Sequence, residues 1–104
     1  MNESAILHIP DSQYCFAVGE KKLVISLRMA KEDADASVTL IYAGKYQFQQ
    51  SREQIPMEIR YTDRLYHYYE TTLVLTDVRL AYVFCIRQQG TTYYFCEDGV
   101  VFQY

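Results

Sequence analysis

A chain of 104 residues, half of them apolar and 22% charged, is long enough for one domain with its own core and too apolar to stay disordered. Its net charge is −3, and its ten Lys and Arg are scattered, with only Lys21 and Lys22 adjacent. That pattern offers no basic stripe to phosphates and argues against nucleic acid and against an anionic membrane surface. No apolar run approaches the ~20 residues of a membrane span, and the opening MNESAILHIP lacks the basic and long apolar regions of a secretion signal.

Period-two alternation then dominates the chain. Pro10-Asp11-Ser12 and Val18-Gly19-Glu20 read as turns. KLVISLRM predicts a strand with Leu23, Ile25 and Leu27 on one face and Val24, Ser26 and Arg28 on the other. MAKEDADA has helix-forming composition, but eight residues between two strands predict a loop with at most one helical turn. SVTLIYA predicts a strand that groups Val38, Leu40 and Tyr42, and Ala43-Gly44 reads as the turn after it. KYQFQQ places Tyr46 and Phe48 on one side, with Gln47 and Gln49 beside them.

The stretch DRLYHYYETTLVL puts Tyr66 and Tyr68 on one strand face and His67 and Tyr69 on the other, with Leu73 and Leu75 sharing a face further on. RLAYVFCIR groups Leu80, Tyr82, Phe84 and Ile86, and TTYYFCE groups Tyr93 and Phe95. With Gln89-Gly90 as the turn between them, Gln88 faces Thr91, Ile86 faces Tyr93 and Phe84 faces Phe95. Cys85 and Cys96 then fall on the other face but diagonally, a poor geometry for a disulfide. The closing EDGVVFQY stops within an apolar run, so residues 1–104 are expected to be one N-terminal domain and the front piece of a longer protein.

Short strands rich in β-branched and aromatic residues, with a turn signal after each, predict an all-β fold: an immunoglobulin-like antiparallel β-sandwich of seven or eight strands. Three cysteines, none in a C-x-x-C pair, read as reduced thiols and suggest a cytoplasmic protein. His8 and His67 have no ligand-spaced neighbours and read as ordinary buried or surface residues, so no metal site and no cofactor are expected. Glu32, Asp33 and Asp35 do not follow a calcium-loop pattern and read as a solvated acidic loop. Glu97 and Asp98 are adjacent and point different ways, unlike a carboxylate pair flanking a cleft. Catalysis by this chain alone is therefore not expected. The informative feature is aromatic: eleven tyrosines and no tryptophan. Most such rings fill a core, but a few exposed ones would suit the apolar C–H face of a sugar.

Six pieces, in order along nearly the whole chain, resemble the N-terminal β-sandwich of neopullulanases, cyclomaltodextrinases and maltogenic amylases, a family-34 carbohydrate-binding module ahead of a family-13 catalytic barrel. AILHIP resembles that family's A-(I/V)-x-H-x-P opening, and LVISLR its L-x-(I/V)-x-(L/I)-R strand. VTLIYAGKYQF resembles its strand and Y-G-D-x-Y-x-W loop, LYHYYE its F-D-Y-(W/Y)-E, RLAYVF its R-x-x-Y-x-F, and YYFCEDG its Y-Y-x-x-x-x-G. The resemblance implies an accessory domain of a cytoplasmic enzyme that hydrolyses α-glucans or cyclodextrins. Such a domain helps form a homodimer and narrows the active-site mouth of the barrel. Carried over, Tyr46 and Phe48, with Gln47 and Gln49, would meet a maltooligosaccharide weakly. Tyr66, Tyr68 and Tyr69 would serve the core, the rim or an interface. Phe48 stands where the family has tryptophan, Tyr69 at a Trp-or-Tyr position, and Ala43 in the usual Gly or Asp region. Two rival readings are a purely structural sandwich with no ligand of its own and an oligonucleotide-binding barrel. The negative charge speaks against the second.

Overall fold

The computed structural model describes residues 2–8, 15–18, 22–44, 52–74, 80–96 and 99–101. Eight strands run through them: β1 (Cys15–Val18), β2 (Lys22–Ala30), β3 (Ser37–Gly44), β4 (Glu53–Thr62), β5 (Tyr66–Val74), β6 (Leu80–Gln88), β7 (Thr91–Cys96) and β8 (Gly99–Val101). Among the described residues the only helical pieces are two 3-10 turns, Glu3–Ala5 and Lys31–Asp33. The second is the single turn expected within MAKEDADA. All described strand pairs are antiparallel.

The chain forms two compact units, Met1–Ala34 with Glu58–Leu75 and Asp35–Met57 with Thr76–Tyr104. The first unit orders its strands β1-β2-β5 and adds the second half of β4 beside β5. Here β2 runs against β5 over nine residue pairs, from Lys22↔Val74 to Ala30↔Tyr66. One face of this pair is apolar, with Ile25, Leu27 and Met29 at 0% exposure and, on β5, Tyr69 opposite Leu27 and Leu73 opposite Leu23 buried on the same face. The other face of β2 is not the polar one that alternation suggests. Val24 and Ser26 are buried as well.

The N-terminal segment is paired along an edge of β2. Leu7 and Arg28 exchange both backbone hydrogen bonds at 3.0 and 3.1 Å, and the Arg28 Nε donates to the Ala5 carbonyl at 2.9 Å. The ring of His8 meets the Ser26 carbonyl through Nδ1 at 2.8 Å, so Nδ1 carries the proton there. Burial holds the His8 pKa below the usual imidazole range, against the opposing pull of that carbonyl.

The second unit orders β3-β6-β7-β8, with the first half of β4 beside β3. Val38, Leu40, Phe84 and Ile86 fill one face, while Ile41, Ala43, Val83 and Cys85 cluster on the other with Ala81, Tyr94 and Cys96 partly buried beside them. Both faces of β3 are thus apolar, and each fully buried Leu or Ile side chain stabilises by roughly 1.5–3 kcal/mol. The β6–β7 hairpin has the expected register, Gln88↔Thr91, Ile86↔Tyr93 and Phe84↔Phe95. Its turn residues Gln89 and Gly90 have φ of 50° and 79°, the paired positive values of a two-residue turn whose twist matches the strands.

One sequence expectation is corrected, and one strand is added. Ala43 and Gly44 are not a turn: both continue β3, paired with Ala81 and Leu80. EQIPMEIRYT is a further strand, whose alternation of Ile55, Met57, Ile59 and Tyr61 is interrupted by Pro56, a residue that lacks an N–H and argues against a central strand. The structure resolves the conflict by pairing each half of β4 on one side only, Glu53–Met57 with β3 and Glu58–Thr62 with β5. Pro56 therefore sits where one edge of the strand needs no donor.

Candidate functional site

The loop that sequence reasoning favours for sugar contact joins β3 to β4. Tyr46, Gln47, Phe48 and Gln49 lie outside the described residues. Its anchors do not: Tyr42 pairs with Glu53 as the last rung of β3 and β4. The Tyr42 hydroxyl donates to the Glu53 carboxylate, and burial, then this hydrogen bond and the carboxylate's charge, push the phenol pKa up.

The tyrosines of β5 are separated as alternation predicts. Tyr69 is 3% exposed and belongs to the core, which leaves the rim to Tyr66 and Tyr68, both half-buried. These two lie on the opposite face of β5, their rings 6.4 Å apart and nearly perpendicular. Arg28 is opposite Tyr68 on β2 and lays its guanidinium 4.1 Å from the centre of the Tyr66 ring. Tyr61, which sequence reasoning passed over, joins them, with its ring 5.5 Å from that of Tyr68 at 41°. The only sequence signal for it is the alternation Ile55, Met57, Ile59, Tyr61, which Pro56 obscures.

Asp63 organises this corner. Its Oδ1 accepts the backbone N–H groups of Leu65 and Tyr66 at 2.9 and 2.8 Å, and its Oδ2 accepts the Tyr68 hydroxyl at 2.8 Å. The carboxylate thereby makes the β4–β5 turn and fixes a ring with the same two oxygens. These bonds, the Leu65 N–H first and then the Tyr68 hydroxyl, hold its pKa below the usual carboxylate range. A group depressed in the folded state stabilises above its unfolded pKa, about 3.9, and that stabilisation disappears as pH falls through the folded value. Asp63→Asn is therefore expected to lower the melting temperature at pH 7, with the gap to wild type closing below about pH 4. A gap that persists unchanged at pH 2–3 in thermal melts would assign the loss to something other than this charge.

The remaining candidates are structural. His67 bonds the Thr62 hydroxyl through Nδ1 at 2.7 Å. Asp33 is not solvated as expected: it is 5% exposed and its Oδ2 accepts the Asn2 N–H at 2.9 Å. Asp35 remains exposed and accepts from Gln88 Nε2 at 2.8 Å. Among the described residues no three His, Cys, Asp or Glu side chains form a group able to hold a metal ion. Glu97 and Asp98 lie outside the described residues.

The family described as alpha amylase, N-terminal ig-like domain matches residues 1–104. A cyclomaltodextrinase of Thermoanaerobacter pseudethanolicus is 32% identical over 99 residues, which are 95% of this chain and 17% of that protein. A maltogenic alpha-amylase of Bacillus acidopullulyticus is 28% identical over 102 residues, again 95% of this chain and 17% of the relative. The chain thus spans about a sixth of the length of the curated relatives it matches. Among solved structures, a cyclomaltodextrinase superposes with a TM-score of 0.90 at 23% identity, covering 99% of this chain and 18% of that one. The carbohydrate binding module of the muscle glycogen-targeting subunit of Protein Phosphatase-1 superposes with a TM-score of 0.60 at 12% identity, covering 84% and 70%. The all-β, immunoglobulin-like class expected from the strand pattern is the fold these superpositions show.

Proposed function

The chain belongs to the alpha-amylase N-terminal Ig-like domain family, and from that premise we propose that it is the non-catalytic accessory domain of a cytoplasmic enzyme hydrolysing α-glucans or cyclodextrins. The observation that carries this reading is the match over residues 1–104 joined to a relative at 32% identity whose remaining five-sixths is other chain. In this reading a catalytic barrel follows the domain, the domain contributes to a homodimer, and it borders the active-site mouth. The loop between β3 and β4 presents Tyr46 and Phe48 to the substrate, and Gln47 and Gln49 offer hydrogen bonds to its hydroxyls. Two rings without indole area are expected to bind a maltooligosaccharide only at about millimolar strength, or about −4 kcal/mol. Loss of both rings should therefore act on substrate binding rather than on folding.

The test uses the full-length protein. Tyr46→Ala with Phe48→Ala is expected to raise KM for cyclodextrin or shift preference among glucans by severalfold, with the melting temperature within a few degrees of wild type. Removal of residues 1–104 is expected to shift sedimentation from dimer toward monomer. The isolated 104-residue chain should release no reducing sugar from cyclodextrin or pullulan. An unchanged KM and preference in the double variant, with an unchanged dimer after truncation, would leave the domain a purely structural sandwich.

A further inference from the structure

We propose that the face of β2, β5 and β4 carrying Tyr61, Tyr68 and Tyr66 is a second saccharide-stacking surface, distinct from the β3–β4 loop. The first support is a β-bulge. Glu58↔Glu70 and Ile59↔Tyr69 are in regular register, and continued without interruption that register would set Tyr61 opposite His67, on the buried face. Instead the register shifts between Ile59 and Tyr61, so Tyr61 stands opposite Tyr68 and Thr62 opposite His67. One extra residue thereby re-aims a ring onto the open face, where it is 61% exposed.

The second support is that the neighbouring rings are held in place. The Tyr68 hydroxyl is fixed by Asp63 at 2.8 Å, and Tyr66 lies under the Arg28 guanidinium at 4.1 Å. That guanidinium is itself tied to the Ala5 carbonyl. Tyr61, 5.5 Å from Tyr68 and tilted at 41° to it, extends this fixed pair outward, so a ligand that stacks on the exposed Tyr61 ring is bordered by rings that lose little freedom on binding.

The third support is the polar company on the same face. Glu58 and Glu70 stand directly opposite each other on β4 and β5, one rung along from the rings. Like charges set opposite across two strands destabilise a sheet. Donors that reach both carboxylates would relieve that repulsion, and vicinal hydroxyls of a pyranose are such donors while its C–H face covers a tyrosine plane. Other occupants fit less well. Carboxylates are depleted in the core of protein interfaces, and two of them beside the rings repel the phosphates of a nucleic acid. The ligand class is therefore a neutral hexopyranose chain. Its identification as an α-linked glucan rests on the function proposed above.

The test is affinity electrophoresis of the full-length protein through gels containing glycogen, with maltotriose as competitor. Compared are wild type, Tyr61→Ala, Tyr46→Ala with Phe48→Ala, and the triple variant. Tyr61→Ala is expected to weaken retardation about fivefold with an unchanged melting temperature, and to weaken it again in the loop-variant background. Competition by maltotriose would identify a short-chain site, and its failure a surface that reads only the polymer; either accords with stacking at Tyr61. If Tyr61→Ala migrates as wild type while the loop variant loses retardation, the second surface is overturned and the loop reading stands. If wild type itself is not retarded, both are overturned.

Discussion

Replacing Tyr69 by alanine is expected to destabilise the protein by about 3–5 kcal/mol, the range for emptying an aromatic site in a packed core. The ring is 3% exposed and stands between Leu27 on β2 and Ile59 on β4. A domain of this size is stable by about 5–15 kcal/mol, so this single change removes a large part of the total. Tyr61→Ala is the internal control. At 61% exposure its loss should stay within about 0.5 kcal/mol. Urea denaturation followed by circular dichroism measures both. Equal effects from the two substitutions would mean that Tyr69 is not the inward ring.

The second large effect is kinetic. Cys85 is 2% exposed within the cluster of Ile41, Ala43 and Val83, and burial pushes its thiol pKa up, with the Arg87 charge opposing. The thiolate is the nucleophile, so both shielding and a raised pKa slow its alkylation. Reaction at Cys85 then requires local opening, and an opening free energy of about 4 kcal/mol makes it about a thousandfold slower than a free thiol. Cys96 is half-buried at the end of β7 and should react much sooner. Cys85 faces Tyr94, not Cys96, across the hairpin, and neither cysteine forms a disulfide. Alkylation timed by mass spectrometry is expected to find Cys96 modified within minutes and Cys85 only on denaturation, with its rate rising as pH is raised. Prompt modification of Cys85 in the native protein would contradict its placement.

Much of this structure is legible in the sequence, and the reasons are specific. β2, β3, β5, β6 and β7 are marked by alternation, because side chains on a strand point to opposite faces in turn. The β6–β7 register follows from one dipeptide, since Gly90 tolerates φ of 79° without strain and two turn residues fix which side chains face each other. Alternation also separates Tyr68 from Tyr69. It does not say which of the two faces inward, because both rings are equally apolar and only the neighbours of β5 decide. Leu27 and Met29 on β2 make the Tyr69 face the buried one.

Three features belong to the tertiary structure alone. β4 is a strand in spite of Pro56, because pairing on one side at a time removes the need for its missing donor. Ser26 and Val24 are buried on a face that alternation would leave open. Tyr61 reaches Tyr68 because a single extra residue shifts the register of β4 against β5. Period and propensity act between residues a few positions apart, so the sequence by itself determined strands, faces and a hairpin. Coverage of a face, tolerance of a proline and the phase of one strand against another depend on partners distant along the chain, and the folded arrangement alone sets those.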